Sequence, residues 1–378
     1  MKIAIICPYD FSRPGGVQAH IRDLSQELRK NHSQVTVVAP NITRSKEDLD
    51  CDLALFGNSI SVNFNKTQID ISLAWGKEYK RMRDWLLDQQ FDVIHFHTIW
   101  NPFLSFQILR LANKSARVAT FHDTPPETFT GYLTRKFFRL LSRFIYSELD
   151  CITAVSQSPA QHLYNDPDHP IHILPPSIDY SRFIRIPRGT HKRKISTILF
   201  IGRLDPRKGV LILLRAFQNL KQQGEKIKLV VAGDGRLFNL LQKKIKDNNI
   251  KGVTLLGYIC ERDKHYWLSQ ADIFCAPALY GESFGIVIVE AMAAGVPVVG
   301  AANSGYSMVL RDQGDLCLSV PGDPNDLAKK LQFLLKNAKH RQYLSTWGRQ
   351  QAVQYDVKAW AKNWSNLYIM AIRKRQKK

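Results

Sequence analysis

Two glutamates eight residues apart are the first residues of this sequence whose type and spacing suggest chemistry. Glu290 lies in the run Ile-Val-Ile-Val-Glu-Ala-Met-Ala-Ala-Gly, which predicts a helix from Phe284 to Ala294 that is apolar nearly all round and therefore buried. A buried carboxylate is costly unless it has partners, and ligand hydroxyls beside the helix would serve. The helix N-terminus one turn earlier offers free amides to an anion. Phosphate at the helix end and a polyol along its flank together describe a nucleotide sugar.

Glu282, the second carboxylate, stands in the loop before this helix, where a sugar beyond the phosphates would lie. Apolar strands are predicted on both sides, ending at 273–275 and running over 297–300, so the segment is a strand–loop–helix–strand unit of a parallel sheet. The structural alternative is that Glu282 caps the helix and Glu290 reaches solvent.

Two cations five residues apart form the next candidate group. Arg203 and Lys208 lie in the loop between a predicted strand at 197–202 and a helix, a position that suits a pyrophosphate, although surface loops carry Arg and Lys for many reasons. Gly15 and Gly16 stand at a similar strand-to-helix turn, where they let a ligand approach the backbone closely. Neither a dinucleotide fingerprint nor a P-loop is present in the sequence.

Three histidines fall at predicted strand ends, where an open α/β sheet places its ligands. His95 and His97 lie in one strand, and His122 directly follows the next, with Asp123 beside it to hold its orientation. A single histidine in such a position is more often a hydrogen-bonded structural residue. His122 is the candidate for chemistry among the three.

A departing nucleoside diphosphate needs positive charge, which comes either from a divalent metal on a D-x-D pair or from fixed cations and helix amides. The tripeptides Asp50-Cys51-Asp52 and Asp166-Pro167-Asp168 do not follow apolar strands, and the second lies in a proline-rich turn, so we interpret both as accidental. The sequence therefore predicts a reaction that requires no metal and no cofactor.

The segment from Glu282 to Glu290 matches the E-x7-E signature of the retaining, family-four glycosyltransferases of GT-B fold. Within that family the chain resembles the bacterial phosphatidylinositol mannosyltransferases, from Ile5–Tyr9 and Pro14–Gln18 to the C-terminal helix. The resemblance implies an α/β protein with two doubly wound Rossmann-like domains facing across a cleft. It also implies front-face attack, in which the leaving phosphate helps to take the acceptor proton.

With this resemblance each candidate residue acquires an expected role. Glu290 would bind ribose hydroxyls, Glu282 would bind hydroxyls of the donor sugar, and His122 would face the transferred sugar. The residues expected to act in catalysis are His122, Arg203, Lys208 and Glu282. Those expected to bind the donor are Gly16, Gly233, Tyr258, Ile259, Glu282, Phe284, Gly285, Ile286 and Glu290, with Tyr258 and Ile259 at the base and Gly16 letting the acceptor-side domain close on the phosphates.

A domain division follows from the same pattern. Residues 1–180 are expected to form an acceptor-binding domain and residues 195–357 a domain that binds the nucleotide sugar. A basic linker over 181–194 would join them. The helix over 358–378 would pack back on the first domain, with its basic end frayed.

The charge balance points to an anionic partner. The 378 residues carry 53 Lys plus Arg against 33 Asp plus Glu, a net charge of +20, and no apolar run long enough to span a membrane. Scattered cysteines without a C-x-x-C pair are typical of a cytosolic protein. Two predicted basic helices, over 75–87 and 131–149, favour peripheral binding to the inner face of the plasma membrane. The basic residues concerned are Lys77, Lys80, Arg81, Arg135, Arg139 and Arg143.

The expected function is transfer of a hexose, by resemblance mannose from GDP-mannose, to a lipid-linked or glycan acceptor at that membrane face. A UDP-sugar transferase of polysaccharide or glycolipid assembly is the alternative, and a sugar-nucleotide epimerase would need no acceptor. A nucleic-acid-binding protein would also use the charge, but the sequence has no zinc knuckle or RNP1 pattern.

Overall fold

The computed structural model describes residues 1–13, 15–42, 51–64, 67–100, 103–125, 129–185 and 195–378. The chain divides into two compact units. Unit 1 comprises Met1–Ile178 and Asp356–Lys378, and unit 2 comprises Asp179–Tyr355. Much of the expected linker, residues 186–194, lies outside the described residues, as do Pro14 and Asp50. Residues 181–185 fold with unit 2, because Phe183 is buried there.

Unit 1 is built around parallel strands whose residues are mostly apolar. Its described strands are β1 (Lys2–Ile6), β2 (Gln34–Ala39), β3 (Asp52–Leu55), β4 (Asn58–Phe64), β5 (Thr67–Leu73), β6 (Val93–His97), β7 (Ala116–Phe121), β8 (Cys151–Ala154) and β9 (Ile171–Ile173). Its described helices are α1 (Gly16–Lys30), α2 (Lys77–Gln89), α3 (Leu104–Leu111), α4 (Phe129–Tyr146), α5 (Gln157–Ala160) and the C-terminal helix, named α14 below (Val357–Arg375).

The main sheet of unit 1 is parallel and has the strand order β3-β2-β1-β6-β7-β8-β9, with β4 and β5 forming a separate antiparallel pair. The strands β1, β6 and β7 are buried almost throughout, and β6 and β7 bury polar side chains such as His95, His97 and Thr120 among their apolar residues. The chain passes from β1 to β2 on one side and returns to β6 on the other. Ligands of doubly wound sheets bind at such a reversal, beyond the carboxyl ends of the strands.

Helix α14 returns to unit 1 after the chain has made all of unit 2. Trp364, Tyr368 and Ala371 are buried in the unit 1 core, and Val357 N donates to Ile178 O at 2.8 Å. The expectation of a frayed basic end was wrong. The helix continues to Arg375, whose guanidinium lies 2.9 Å from the buried carboxylate of Asp150.

Unit 2 repeats the same architecture. Its described strands are β10 (Ser196–Ile201), β11 (Ile227–Ala232), β12 (Val253–Gly257), β13 (Ile273–Ala276), β14 (Val298–Ala301) and β15 (Leu318–Ser319). Its described helices are α6 (Tyr180–Ile184), α7 (Val210–Gln222), α8 (Phe238–Asp247), α9 (Glu261–Gln270), α10 (Ile286–Ala293), α11 (Ser304–Val309), α12 (Pro324–Lys336) and α13 (Ala338–Ala352).

The sheet of unit 2 is parallel, with the order β12-β11-β10-β13-β14-β15. Its reversal lies between β10 and β13, so the loops that follow these two strands meet at one edge. Those loops carry Arg203, Lys208 and Glu282. The topology of unit 2 therefore places at one edge of the sheet the residues that the sequence predicted to bind phosphate and sugar.

Candidate active site

The carboxylate of Glu282 is the centre of the polar cluster at this edge of unit 2. Its Oε1 accepts from Lys208 Nζ at 2.7 Å and from Arg207 Nη1 at 2.8 Å. Glu282 is buried, and the side chains of Lys208 and Arg207 are only 18% and 12% exposed. Glu282 therefore neither caps α10 nor reaches solvent. It is a buried anion held by two cations from the opposite loop.

The loop after β10 is shaped to present these cations. Residues Pro206–Lys208 form a 3₁₀ turn, and the side chain of Asp205 caps it by accepting from Lys208 N at 3.2 Å. Gly209 ends the turn with φ of +71°, and a Cβ there would lie 1.9 Å from Pro277 O. Only glycine permits this approach. The two loops consequently touch backbone to backbone, which fixes the side chains that extend from them.

Burial and pairing act in opposite directions on these groups. Burial alone would raise the pKa of Glu282, but Lys208 and Arg207 outweigh it and the pKa is lowered. Burial lowers the pKa of Lys208, although the Glu282 carboxylate opposes this. Glu282 is thus ionised at neutral pH, and Lys208 is charged but poorly solvated. A buried cation of this kind gains from a second anion such as phosphate.

Arg203 stands at the exposed edge of the same cluster. Its side chain is 49% exposed, and its Nε lies 3.9 Å from Asp205 Oδ2, too far for a hydrogen bond. Three cations, Arg203, Arg207 and Lys208, here face two carboxylates, Asp205 and Glu282. The local excess of positive charge and the open guanidinium suit a diphosphate.

Glu290 has a protein partner that the sequence did not suggest. Its Oε1 accepts from Lys264 Nζ at 2.7 Å, and Lys264 also lies 2.9 Å from Glu261 Oε2. Glu290 is 4% exposed. Burial would lower the pKa of Lys264, but Glu290 and Glu261 raise it. Lys264 of α9 therefore supplies positive charge to this carboxylate, and the binding of ligand hydroxyls by Glu290 stays a prediction.

Helix α10 begins later than the sequence suggested. Gly285 is its N-cap residue with φ of +101°, and the first helical residue is Ile286. Phe284 lies before the helix, where its ring packs edge-on against Tyr355 with centroids 5.1 Å apart. Gly285 and Ile286 therefore lie at the helix end that can meet an anion, whereas the side chain of Phe284 belongs to the core.

Other residues of unit 2 that were predicted to bind the donor lie in the loops that follow β11 and β12, at the same edge of the sheet. Gly233 follows β11 with φ of +138°, and a Cβ there would lie 1.9 Å from Gly202 O, so the backbone itself requires glycine. Tyr258 and Ile259 follow β12, with Tyr258 exposed and Ile259 partly exposed. A role in binding the donor base stays a prediction for these two residues.

In unit 1, Gly16 and His122 lie at the strand ends near the sheet reversal. Gly16 is the exposed first residue of α1, preceded by Gly15 as N-cap. His122 follows β7 and is partly exposed, and its Nε2 lies 2.8 Å from Nδ1 of the buried His97. His97 therefore takes part in holding the imidazole that Asp123 was expected to orient.

His122 belongs to a cluster of four histidines, of which His95 and His97 lie on β6, His20 lies on α1 and His122 directly follows β7. His95 bonds to Tyr368 and Thr120 at 2.9 Å and 2.6 Å, which is the structural role that strand-end histidines usually have. His20 accepts from Ser177 N at 3.2 Å. Burial lowers the pKa of His20 to about 4 and of His122 to about 3, and it lowers the pKa of His95 and His97 as well. All four rings are neutral at pH 7.

The described residues of the two D-x-D tripeptides belong to unit 1. Asp166 folds back on its own turn, where it accepts from Asp168 N and His169 Nδ1, both at 3.0 Å. Asp52 begins the edge strand β3. Within the described ranges, no group of three or more His, Cys, Asp or Glu side chains could hold a metal ion.

The basic surface of unit 1 differs in part from the expectation. Trp75 lies before α2 and is 78% exposed, rather than forming the first apolar turn of that helix. Lys77 and Lys80 are exposed, whereas Arg81 is held by Glu78 at 2.6 Å and by Leu55 O at 2.7 Å. Arg81 is therefore less available to an anionic surface than its neighbours.

Helix α4 has two different apolar faces. Phe138 stacks on Trp100 with ring centroids 4.6 Å apart, and Ile145 and Tyr146 are buried. On the other side an apolar stripe at helical spacing, between 52% and 68% exposed, consists of Leu133, Phe137, Leu140 and Phe144. Arg139 and Arg143 are exposed and Arg135 is partly buried. No described helix has the length and apolarity that crossing a bilayer requires.

Three contributing residues were missed by the sequence analysis: Arg207, Lys264 and, as a partner of His122, His97. Arg207 adjoins Lys208, and its charge in the same turn was a usable signal. Lys264 is 26 residues from Glu290, and nothing in the sequence marks the pair.

Comparison with known proteins agrees with this geometry. Residues 14–182 match the family described as Glycosyltransferase Family 4, and residues 184–351 match Glycosyl transferases group 1. A phosphatidyl-myo-inositol mannosyltransferase of Mycobacterium leprae is 32% identical over 94% of this chain and 93% of its own. One of Propionibacterium freudenreichii is 30% identical over 94% and 91%.

Solved structures show the same fold at lower identity. Sucrose-phosphate synthase from Thermosynechococcus elongatus has a TM-score of 0.76 at 18% identity, covering 97% of this chain and 98% of that one. Anabaena Alr3699/HepE in complex with UDP-glucose gives 0.76 at 18%, covering 97% and 99%. With two Rossmann-like units, the E-x7-E pair at the sheet reversal and relatives of this similarity, the chain belongs to glycosyltransferase family 4 and is a hexosyltransferase of GT-B fold.

Proposed function

We propose that the protein transfers mannose from GDP-mannose to an inositol phospholipid, with retention of configuration and without a metal. The cluster of Arg203, Lys208 and Glu282 is the observation that carries this proposal, because it combines cations for a diphosphate with a fixed carboxylate for sugar hydroxyls. The names of the relatives that match along more than 90% of both chains support mannose and a phosphatidylinositol acceptor.

The diphosphate would bind Arg203 and Lys208 and the amides at Gly285 and Ile286. These groups are in place before the reaction, so they stabilise charge on the leaving phosphate without reorganising. Lys208 would then share its charge between the phosphate and Glu282, while Arg207 keeps Glu282 paired. The second carboxylate, Glu290, would bind ribose hydroxyls while Lys264 holds its Oε1.

Unit 1 would supply the acceptor side and the attachment to the membrane. The exposed stripe of α4 and the cations Arg139 and Arg143 form an amphipathic surface of the kind that lies in a bilayer interface. Lys77, Lys80 and the exposed Trp75 add a second basic and aromatic region. We propose peripheral binding at the cytoplasmic face of the membrane on these grounds.

A UDP-sugar donor is the second candidate, and the similar fold of a protein in complex with UDP-glucose favours keeping it. Thermal shift with GDP, UDP and ADP decides the base, since a ligand at ~100 times its Kd stabilises by about 2.7 kcal/mol. Turnover of the matching sugar nucleotide is then measured with and without lipid extract. We expect stabilisation by GDP and turnover only with lipid. Conversion of the donor without acceptor would instead indicate an epimerase, and stabilisation only by UDP would replace the donor.

A further inference from the structure

The four histidines of unit 1 include two ring nitrogens that are buried and have no partner. These are Nε2 of His20 and Nε2 of His97, which find no hydrogen-bonding group among the residues that the structure describes. Both residues are 0% exposed, and their rings lie edge to face with centroids 5.7 Å apart. Buried polar atoms are nearly always paired, so two orphans on adjacent rings require an explanation.

The tautomer of His20 follows from its contact with the backbone. Ser177 N–H can only donate, and it reaches His20 Nδ1 at 3.2 Å, so Nδ1 must carry the lone pair. Because the pKa of His20 is lowered to about 4 by burial, the ring is neutral at pH 7 and has one proton. That proton is on Nε2. His20 therefore carries a buried N–H donor on a ring that contacts the ring of His97.

The contact between His97 and His122 has two possible directions. Nδ1 of His97 lies 2.8 Å from Nε2 of His122, and with both rings neutral one nitrogen donates and the other accepts. If His122 donated, the orphan Nε2 of His97 would be a second buried N–H without a partner among the described residues, on a ring next to that of His20. If His97 donates, its Nε2 carries a lone pair, and the two orphans become a donor and an acceptor, the roles that a single water molecule bridges. Orphaned buried donors are the rarer case, so the second direction is favoured.

We propose that His97 is a positioning residue that fixes His122 as the tautomer with its proton on Nδ1, through a chain of contacts that starts at Ser177 N–H and passes by His20. His122 then acts as a hydrogen-bond donor to an oxygen of its ligand and does not act as a general base. This inference rests on the proposed function only in assigning that oxygen to the transferred sugar. The tautomer itself is a property of unit 1.

The test is long-range proton–nitrogen NMR on protein with ¹⁵N-labelled histidine, in which protonated and unprotonated ring nitrogens resonate far apart. His122 signals are assigned by their loss in His122→Gln. We expect Nδ1 protonated and Nε2 unprotonated in the parent at pH 7. In His97→Phe, which keeps a ring but removes the donor, we expect the proton to shift toward Nε2, the site that a neutral histidine prefers on its own. His95→Asn alters the same cluster without touching His122, and the His122 signals should keep the parent pattern.

Activity gives the second measurement. With donor and lipid saturating, kcat of His97→Phe should fall about tenfold, the order expected for loss of one oriented hydrogen bond, while its Kd for GDP stays within about twofold. A parent His122 protonated on Nε2 overturns the proposal even if the enzyme transfers sugar. A parent kcat in His97→Phe overturns the positioning role, as does an unchanged tautomer. A parent that transfers no sugar overturns the proposed function and the role with it, while the tautomer measurement still stands.

Discussion

Lys264 and Glu290 form an ion pair of 2.7 Å in the interior of unit 2, where their side chains are 10% and 5% exposed. The pair joins α9 to α10, and Lys264 supplies positive charge to a carboxylate that α10 buries. Breaking a buried pair by removing one partner typically costs about 3–5 kcal/mol, because the remaining charge stays buried. We therefore expect Lys264 to stabilise the buried Glu290 before any ligand binds.

A double-mutant cycle tests this dependence. We expect Lys264→Met to lower the free energy of unfolding by on the order of 3 kcal/mol, and the double variant Lys264→Met with Glu290→Gln to lose much less, since neither member of the buried pair then leaves its charge behind. Denaturant titration of the four proteins provides the measurement. Strictly additive losses would show that the two side chains are not coupled.

Removal of one group that we propose to contact the donor should affect turnover more than folding. We expect Glu290→Ala and Lys208→Ala each to lower turnover by a factor on the order of 10²–10³, with circular dichroism close to that of the parent. Arg207 continues to pair with Glu282 in Lys208→Ala, and Glu261 continues to pair with Lys264 in Glu290→Ala. Lys336→Ala, which removes an exposed ion pair with Glu225, is the matched control. Near-normal turnover in either site variant contradicts its assignment.

Metal independence is a separate prediction of the fixed cations. In the proposed function, Arg203, Lys208 and the N-terminal end of α10 would supply the positive charge that a divalent ion provides in other enzymes. We expect turnover in excess EDTA to stay within about a factor of two of the untreated rate. Loss of activity that Mg²⁺ or Mn²⁺ restores would reject this, and would make the tripeptides at Asp50 and at Asp166 candidate metal ligands again.

The basic helices predict binding to anionic vesicles that depends on salt. Each Lys or Arg near such a surface contributes roughly 1 kcal/mol, within a Debye length of about 8 Å at physiological salt. We expect sedimentation with anionic vesicles at low salt, release at about 0.5 M salt, and none with neutral vesicles. Changing Lys80, Arg81, Arg139 and Arg143 to Gln should weaken it and leave GDP binding intact. If that variant sediments like the parent, the electrostatic part of the proposal is wrong.

The apolar stripe of α4 should add a hydrophobic contribution to vesicle binding that salt does not screen. Leu140→Ser with Phe144→Ser removes two exposed side chains, so we expect near-parental stability and weaker sedimentation even at low salt. Thr346→Ser, an exposed substitution on unit 2, is the control and should sediment like the parent. Equal sedimentation of the stripe variant and the parent would remove the stripe from the membrane surface.

Acid should destabilise unit 1 through its buried histidines. The pKa of His20 is about 4 in the folded protein against an ordinary 6.5, so the unfolded state binds more protons between these values. Stability is therefore fully present above pH 6.5 and is lost as the pH falls toward 4. At 1.36 kcal/mol per pKa unit, His20 alone contributes on the order of 3 kcal/mol. Denaturation midpoints at pH 7, 6 and 5 should fall, and less steeply in His20→Gln. A flat profile would contradict the prediction.

Much of the fold, and the unit 2 residues of the candidate site, could be predicted from the local sequence pattern. Arg203, Lys208, Glu282 and Glu290 lie in short segments whose strand–loop–helix pattern is visible in the sequence, and the parallel topology then brings them to one edge. The partners of Glu290 and His122 were not predictable in this way. Lys264 and Glu290 lie 26 residues apart on two different helices, with a strand between them in the chain. His97 and His122 belong to neighbouring strands and their loops.

Which apolar side chains of α4 are exposed could not be predicted from the sequence either. Phe137 and Phe138 are adjacent and chemically identical, yet one is exposed and the other stacks on Trp100. Hydrophobic spacing identifies an apolar face only when one face is apolar, and in α4 two are. The position of the neighbouring helices decides which face is covered, and that information is not local.

The return of α14 to unit 1 has a consequence for synthesis. A ribosome releases residues 1–178 first, then all of unit 2, and only at the end the segment that carries Trp364, Tyr368 and Arg375. Until that segment emerges, His95 lacks its Tyr368 partner, Asp150 lacks Arg375, and the apolar floor beneath α14 faces water. Unit 1 is therefore translated first but completes its folding last. A nascent chain stalled within unit 2 would expose the uncovered apolar surface of unit 1 to chaperones and proteases.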